Sequence, residues 1–376
     1  MNRAVAMIGA GYTSLTRVPG ASEVELAVHA CRRAAADAGL DVSAIDGLNV
    51  QVHHDPPPDT DRIVEQLALG DLRWVRDGGL GTASLGRAAD AIASGQASVV
   101  AVVKIMNTVA PVHPPPIAAD GGVDGPAQFE VPYGLGYTMQ RVALFKRRWM
   151  HDRGITDEQV GALCVTQRRH ALLNPHAIFD REIGLDDYLA SRWVTEPLRL
   201  LDCDYPVNGS FAYLLADAEV AQRLDGGAAY LKGWAVDEQP RVAQHLWPDI
   251  DGVAPCALAA YERSGLGPED MDVWMLYDGF SILALAWMEA LGLVEPGESG
   301  RYVADGARIS IEGEHPVNTH GGQLSEGRMH GAGHLLEAFQ QVRGTAGPRQ
   351  ARRAEHVVVS SAYPQHGGVA ILGRRP

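Results

Sequence analysis

Residues able to move protons collect near the end of the sequence. The run "NTHGGQLSEGRMHGAGH" carries His320, His330 and His334, with Glu326 among its glycines. An imidazole titrates close to neutral pH, so such a cluster suits general acid–base work. A metal would need a complete ligand set, and no such set recurs, so no metal is assigned. His320 abuts Gly321 and Gly322, a pair that lets backbone approach a ligand closely. Tyr277 ends the apolar stretch "DVWMLY" and is followed by Asp278. A tyrosine there either packs with its hydroxyl at the rim or exchanges protons; Asp278 reads as a loop cap. Tyr363 and His366 flank Pro364 in "AYPQHGG", in the turn before the last apolar run. The four cysteines, Cys31, Cys164, Cys203 and Cys256, have neither zinc nor redox spacing.

The elements that position these residues read as two similar halves. "ASEVELAVHACRRAAADAGLDVSAIDGLNVQ" gives an amphipathic helix stopped at Gly39, a turn and a strand. "DGVAPCALAAYERSGLGPEDMDVWMLYDGF" repeats that order with its stop at Gly265. Each half then adds a glycine-rich turn, a helix and a β-branched strand: "GGLGTASLGRAADAIASGQASVVAVV" and "GRMHGAGHLLEAFQQVRG…HVVVSSA". Buried strands alternating with helices predict an α/β fold of two related halves, residues 1–232 and 233–376. An insertion over about 111–195 interrupts the first half. It opens on Pro- and Gly-rich chain and continues into helices, one capped at Thr156, and reads as a lid. The charged stretch "KRRWMHDR" in it reads as a solvent face, or as a face for phosphates.

Composition narrows the function. The chain has 376 residues, 46% hydrophobic and 21% charged, with a formal charge of −14. That balance argues for a globular fold and against nucleic-acid binding, which needs a basic face. The N-terminal "MNRAVAMIGAGYTSL" reads as a buried strand and turn, not a signal peptide, and no apolar stretch is long enough to span a bilayer. Reduced thiols and a cytoplasmic location are expected. No G-x-G-x-x-G joins the first strand to its helix, so no nicotinamide or flavin cofactor is expected.

The motifs "ADAGLDVSAIDGL", "YDGFS", "ALGLVEPGESG", "NTHGGQLSEGRMHGAGH" and "HGGVAILGR" occur in an order that resembles the thiolase superfamily along essentially the whole chain. Within it, the sequence is similar to the sterol-carrier-protein-like thiolases and the lipid-transfer-type steroid side-chain aldolases. The resemblance implies a thiolase fold, layered α-β-α-β-α. The family's covalent chemistry uses a cysteine at a helix N-terminus. Its position falls at about Gly78 here, and no cysteine lies between Cys31 and Cys164.

The other catalytic positions differ as well. Tyr277 stands where the family carries histidine, Arg328 replaces a second histidine, and Ala362 or Tyr363 replaces the second cysteine. Asn318 falls in the family's oxyanion-hole region, or else satisfies its own turn. The pattern resembles the aldolases that lack the nucleophile and use tyrosines. It implies retro-aldol cleavage of a bulky β-hydroxyacyl-CoA by Tyr277, Tyr363, His320 and His330, with Arg328 and Asn318 assisting. Coenzyme A enters as part of the substrate, with no permanently bound cofactor. A homodimer and a small OB-fold, zinc-ribbon partner are further implications. An arginine near Tyr277 is expected to lower the phenol's pKa and make it the base. Two rival readings remain open: a non-catalytic thioester-binding or partner-holding homologue, and an acyltransferase.

Overall fold

A computed structural model describes residues 4–18, 20–51, 58–79, 81–107, 128–237, 252–364 and 367–376. Most of the Pro- and Gly-rich opening of the insertion, and His366, lie outside these residues. Eleven strands are described: β1 (Val5–Tyr12), β2 (Gly47–Gln51), β3 (Trp74–Asp77), β4 (Val99–Asn107), β5 (Trp193–Thr195), β6 (Leu198–Arg199), β7 (Asn208–Asp217), β8 (Ala229–Val236), β9 (Val273–Met275), β10 (His356–Ser361) and β11 (Gly368–Gly373). Nine form one sheet in the order β3-β2-β4-β7-β1-β8-β11-β10-β9, and β5 pairs with β6.

The two halves meet where β1 pairs with β8 over two residue pairs, Ala6 with Tyr230 and Met7 with Ala229. The expected junction between residues 232 and 233 falls inside β8, whose remaining length pairs with β11. Helices Thr82–Ala93 and Ala332–Arg343 each pack against strands of both halves. Their apolar faces, with Leu85, Ile92, Leu335 and Phe339, share one core with Val102, Phe211, Met275 and Val359. A second core lies under helix Glu23–Ala38, and a third under helices Pro255–Ser264 and Ser281–Ala290. The layers therefore run helix, sheet, helix, sheet, helix. Apart from Lys104, strand β4 is apolar on both faces because both are covered: Val99, Ala101, Val103 and Ile105 face the outer core, Val100, Val102 and Met106 the middle one.

Local chemistry sets the boundaries. Ser22 and Glu25 form a capping box at the start of helix Glu23–Ala38, and Gly39 ends it with φ 70°. Gly265 ends the corresponding helix of the second half with φ 69°. Residues 138–190 contribute helices Thr138–Arg153, Asp157–Ala171 and Leu185–Ala190. Lys146, from the charged stretch, is fully buried rather than solvated. Its Nζ contacts Asp202 at 2.8 Å, Asp157 at 3.1 Å and the Tyr188 hydroxyl at 3.2 Å. Ser281 donates to the same Asp202 at 2.5 Å, which ties helix Thr138–Arg153 to the helix that follows the Tyr277 loop. A buried charge is tolerated here because each partner is paired.

Candidate active site

The site is built on the loop that leaves β9. Asn318 holds Leu276 from both sides: its Oδ1 accepts from the Leu276 N–H at 2.7 Å, and its Nδ2 donates to the Leu276 carbonyl at 2.8 Å. Both ends of that amide are spent on the turn, at a backbone φ of 47°, so the geometry gives Asn318 a positioning role. The next backbone N–H, of Tyr277, donates to Ser360 Oγ at 3.0 Å. Asp278 is buried and accepts from the N–H groups of Gln323 at 2.9 Å and Leu324 at 3.3 Å, capping the turn after His320. A side chain at Gly322 would collide with that carboxylate, which is why glycine stands there.

Around the Tyr277 ring lie Gly279, Gly331, Gln323 and, at 6.5 Å between centroids, His334. Its hydroxyl pKa is raised well above 10, first by burial, then by the charges of Asp204 and Tyr363, and only partly offset by a hydrogen bond with Gln323. The expected lowering by Arg328 is therefore not found. Arg328 faces Asp204 instead, with Nη1 3.7 Å from Oδ1. The tyrosine is a neutral hydroxyl at physiological pH. Tyr363, raised in the same way by burial and by Asp204, is the neighbour of Tyr277 that the sequence left undecided against Ala362.

Asp204, which sequence reasoning missed, sits between these groups. Its N–H donates to the Gly279 carbonyl at 3.2 Å, next to Tyr277 in the loop. Burial pushes its carboxyl up to about 7, against the pull of Arg328 and with help from Asp278. A carboxylate that titrates near neutral pH is well matched to general-base work. The weak signal was an acidic residue in "LLDCDYPV", just before a strand.

The histidines divide. His330 has φ 49° and precedes the helix that starts at Ala332, so it shares no helical face with His334; its carbonyl lies by Gly81. His334 Nε2 lies 2.8 Å from the Leu276 carbonyl and 3.1 Å from Asp278. His320 sits one layer back, with its ring centroid 4.7 Å from that of His334. Burial first, then the charges of His334, Arg349 and His170, hold it well below the usual imidazole range, so it stays neutral. Glu326, 3.8 Å from it, is pushed up to about 8 by burial. The structure thus joins Tyr277, Tyr363, Arg328 and Asp204, and sets His320 and Asn318 behind them. No group of three or more His, Cys, Asp or Glu among the described residues is placed to hold a metal.

The nucleophile position is a bare turn: Gly78, Gly79 and Gly81 all have positive φ. Burial pushes the Cys31 and Cys256 thiols up to about 12 and the Cys164 thiol well above its ordinary value. Cys203, beside the site, is raised by burial and by its neighbours Asp202 and Asp204. None of the four is a thiolate at neutral pH.

Residues 238–374 match the family model "Thiolase C-terminal domain-like". A steroid side-chain-cleaving aldolase of Thermomonospora curvata is 36% identical over 91% of both chains. The chain belongs to the thiolase superfamily, in its sterol-carrier-protein-like aldolase branch. A 17-hydroxy-3-oxo-4-pregnene-20-carboxyl-CoA lyase of Mycobacterium tuberculosis is 34% identical over 98% of both. A solved structure described as "Ltp2-ChsH2(DUF35) aldolase" superposes with a TM-score of 0.89, at 34% identity, over 99% of this chain and 98% of the other. The five-layer arrangement is the thiolase fold.

Proposed function

We propose that this enzyme is a CoA-thioester carbon–carbon lyase that splits a bulky β-hydroxyacyl-CoA by retro-aldol cleavage without a covalent intermediate. The observation that carries the reading is the grouping of Tyr277, Tyr363 and Asp204 in a thiolase frame whose nucleophile is gone and whose four thiols stay protonated. Asp204 takes the β-hydroxyl proton by way of the Tyr277 hydroxyl. The Cα–Cβ bond breaks, its electron pair passes to the thioester carbonyl, and a carbonyl product and an enolate form. Tyr363 returns a proton to Cα, which completes the shorter acyl-CoA, and the proton held by Asp204 passes to the Tyr363 oxygen, which restores both groups.

The similar lyase of Mycobacterium tuberculosis points to a steroid acyl group bearing a 17-hydroxyl. Cleavage of 17-hydroxy-3-oxo-4-pregnene-20-carboxyl-CoA would give a 17-ketosteroid and propionyl-CoA. That thioester, incubated with the purified protein, should yield both products in equal amounts by chromatography; an unchanged substrate would count against the lyase and for a binding homologue.

The assembly we propose is a homodimer joined through β3, with a small OB-fold, zinc-ribbon partner added. Strand β3 is the outer edge of the first half-sheet, and Val75 on it is 48% exposed, an edge that needs cover. The pairing of Ltp2 with ChsH2(DUF35) in the solved neighbour supports the second component. Sedimentation velocity at micromolar concentration should show a dimer, and a monomer would remove the β3 interface.

A further inference from the structure

Strand β4 carries one charge in an otherwise apolar run, "VVAVVKIMN". The charge is Lys104, in register with Val100, Val102 and Met106 and so on the face toward the middle layer. Lys104 is 0% exposed, and its Nζ has no hydrogen-bond partner among the described residues. Its cross-strand neighbour on β2 is Gln51. Gln51 Oε1 accepts from the Gly81 N–H at 3.3 Å, which places this pair beneath the turn where the family's nucleophile would stand. Among the described residues Gln51 Nε2 is buried without a partner, and so is Arg328 Nε. The helix that begins at Thr82 has no side-chain cap, so the positive end of its dipole is uncovered beside the same turn.

The unpartnered atoms of these three side chains, Lys104 Nζ, Gln51 Nε2 and Arg328 Nε, are all donors. A buried donor without an acceptor costs free energy, and a buried cation costs more. A cluster of such donors at the edge of a catalytic site is what a developing negative charge requires. We propose that Lys104, Gln51 and Arg328 form an oxyanion site that receives the enolate oxygen of the CoA thioester. The proposal rests on the lyase reading for its ligand. Arg328 then serves two neighbours: Nη1 faces Asp204, and Nε faces the enolate. Burial, and next the charge of Arg328, depress the lysine to about 7, while Glu23 acts the other way. The ammonium form is thus present below neutral pH and is lost as pH rises through about 7.

Enolate formation can be read without the aldol step, from exchange of the α-hydrogens of propionyl-CoA with D2O, followed by mass spectrometry. Lys104→Met should slow that exchange by about 10²–10³, the usual loss for one oxyanion donor. Affinity for propionyl-CoA by calorimetry should stay within about threefold, because the ground-state carbonyl carries little charge. The falling limb of the exchange rate above pH 7 should vanish with the lysine. The melting temperature should rise, since methionine fills the site without a buried amine. Gln51→Leu keeps the charge and should also slow exchange, giving a second reading should Lys104→Met fold poorly. Exchange within about threefold of wild type in a folded Lys104→Met, or no exchange by the wild type, would overturn the proposal. A wild type that exchanges propionyl-CoA yet cleaves no β-hydroxyacyl-CoA would remove the lyase reading and leave this one standing.

Discussion

Asp204→Asn is expected to lower kcat/KM for the β-hydroxyacyl-CoA by about 10²–10⁴, the range of a general base. The amide has nearly the shape of the carboxyl but cannot accept the proton. In the wild type the loss of the Lys104 ammonium should bring a fall above about pH 7, and on the acid side the rate should rise toward about 7, where Asp204 ionises in the folded chain. Asp204→Asn should lack that limb. Arg328→Ala should move it to higher pH, because the guanidinium is the group that pulls the carboxyl down. Stability should change in the opposite sense to activity. The folded pKa lies above the ordinary carboxyl value, so between about pH 4 and pH 7 the folded state holds the proton more tightly and loses stability as pH rises. At pH 8 Asp204→Asn should therefore melt higher than wild type, by at most about 4 kcal/mol, and below pH 4 the two should coincide. A variant that loses activity together with stability at pH 8 would make Asp204 a structural ion-pair partner of Arg328.

Tyr277→Phe is expected to cut kcat by about 10²–10⁴ while KM moves little, because the hydroxyl acts on a proton in flight and not on the bound thioester. The ring keeps its packing against Gly279 and Gly331, so the fold should survive. The phenol is held protonated by burial and by Asp204, so the wild-type profile should show no limb for phenolate formation below the alkaline range. Full activity in Tyr277→Phe would leave the tyrosine as packing and pass its role to Tyr363.

The frame of this site was largely readable from the chain. Glycine stops at Gly39 and Gly265 and the apolar strands reported the two halves, because local conformation and burial leave marks in residue type. The loss of the nucleophile was equally plain, as no cysteine occurs where one could serve. Electrostatics was not readable. An arginine near a tyrosine suggested a lowered phenol pKa, but burial and the charge of Asp204 raise it, and Arg328 meets Asp204 through a contact that the fold creates. Asp204 reaches the site because the chain at Cys203 bridges to Phe280, a pairing between distant segments that no local pattern announces. Lys104 stood visibly alone among valines, yet its meaning depends on which face of β4 is turned inward, and only the sheet register decides that. For Asn318 the chain offered two roles, a member of the oxyanion region or a residue satisfying its own turn, and the structure spends its amide on Leu276.

The most direct measurement is cleavage of 17-hydroxy-3-oxo-4-pregnene-20-carboxyl-CoA in D2O, with the mass of the intact protein followed through turnover. One carbonyl product should form for each propionyl-CoA, the propionyl-CoA should carry at least one deuteron at Cα, and the protein mass should not change. An acyl adduct on any of Cys31, Cys164, Cys203 or Cys256, or the absence of a carbonyl product, would contradict a cysteine-free retro-aldol mechanism.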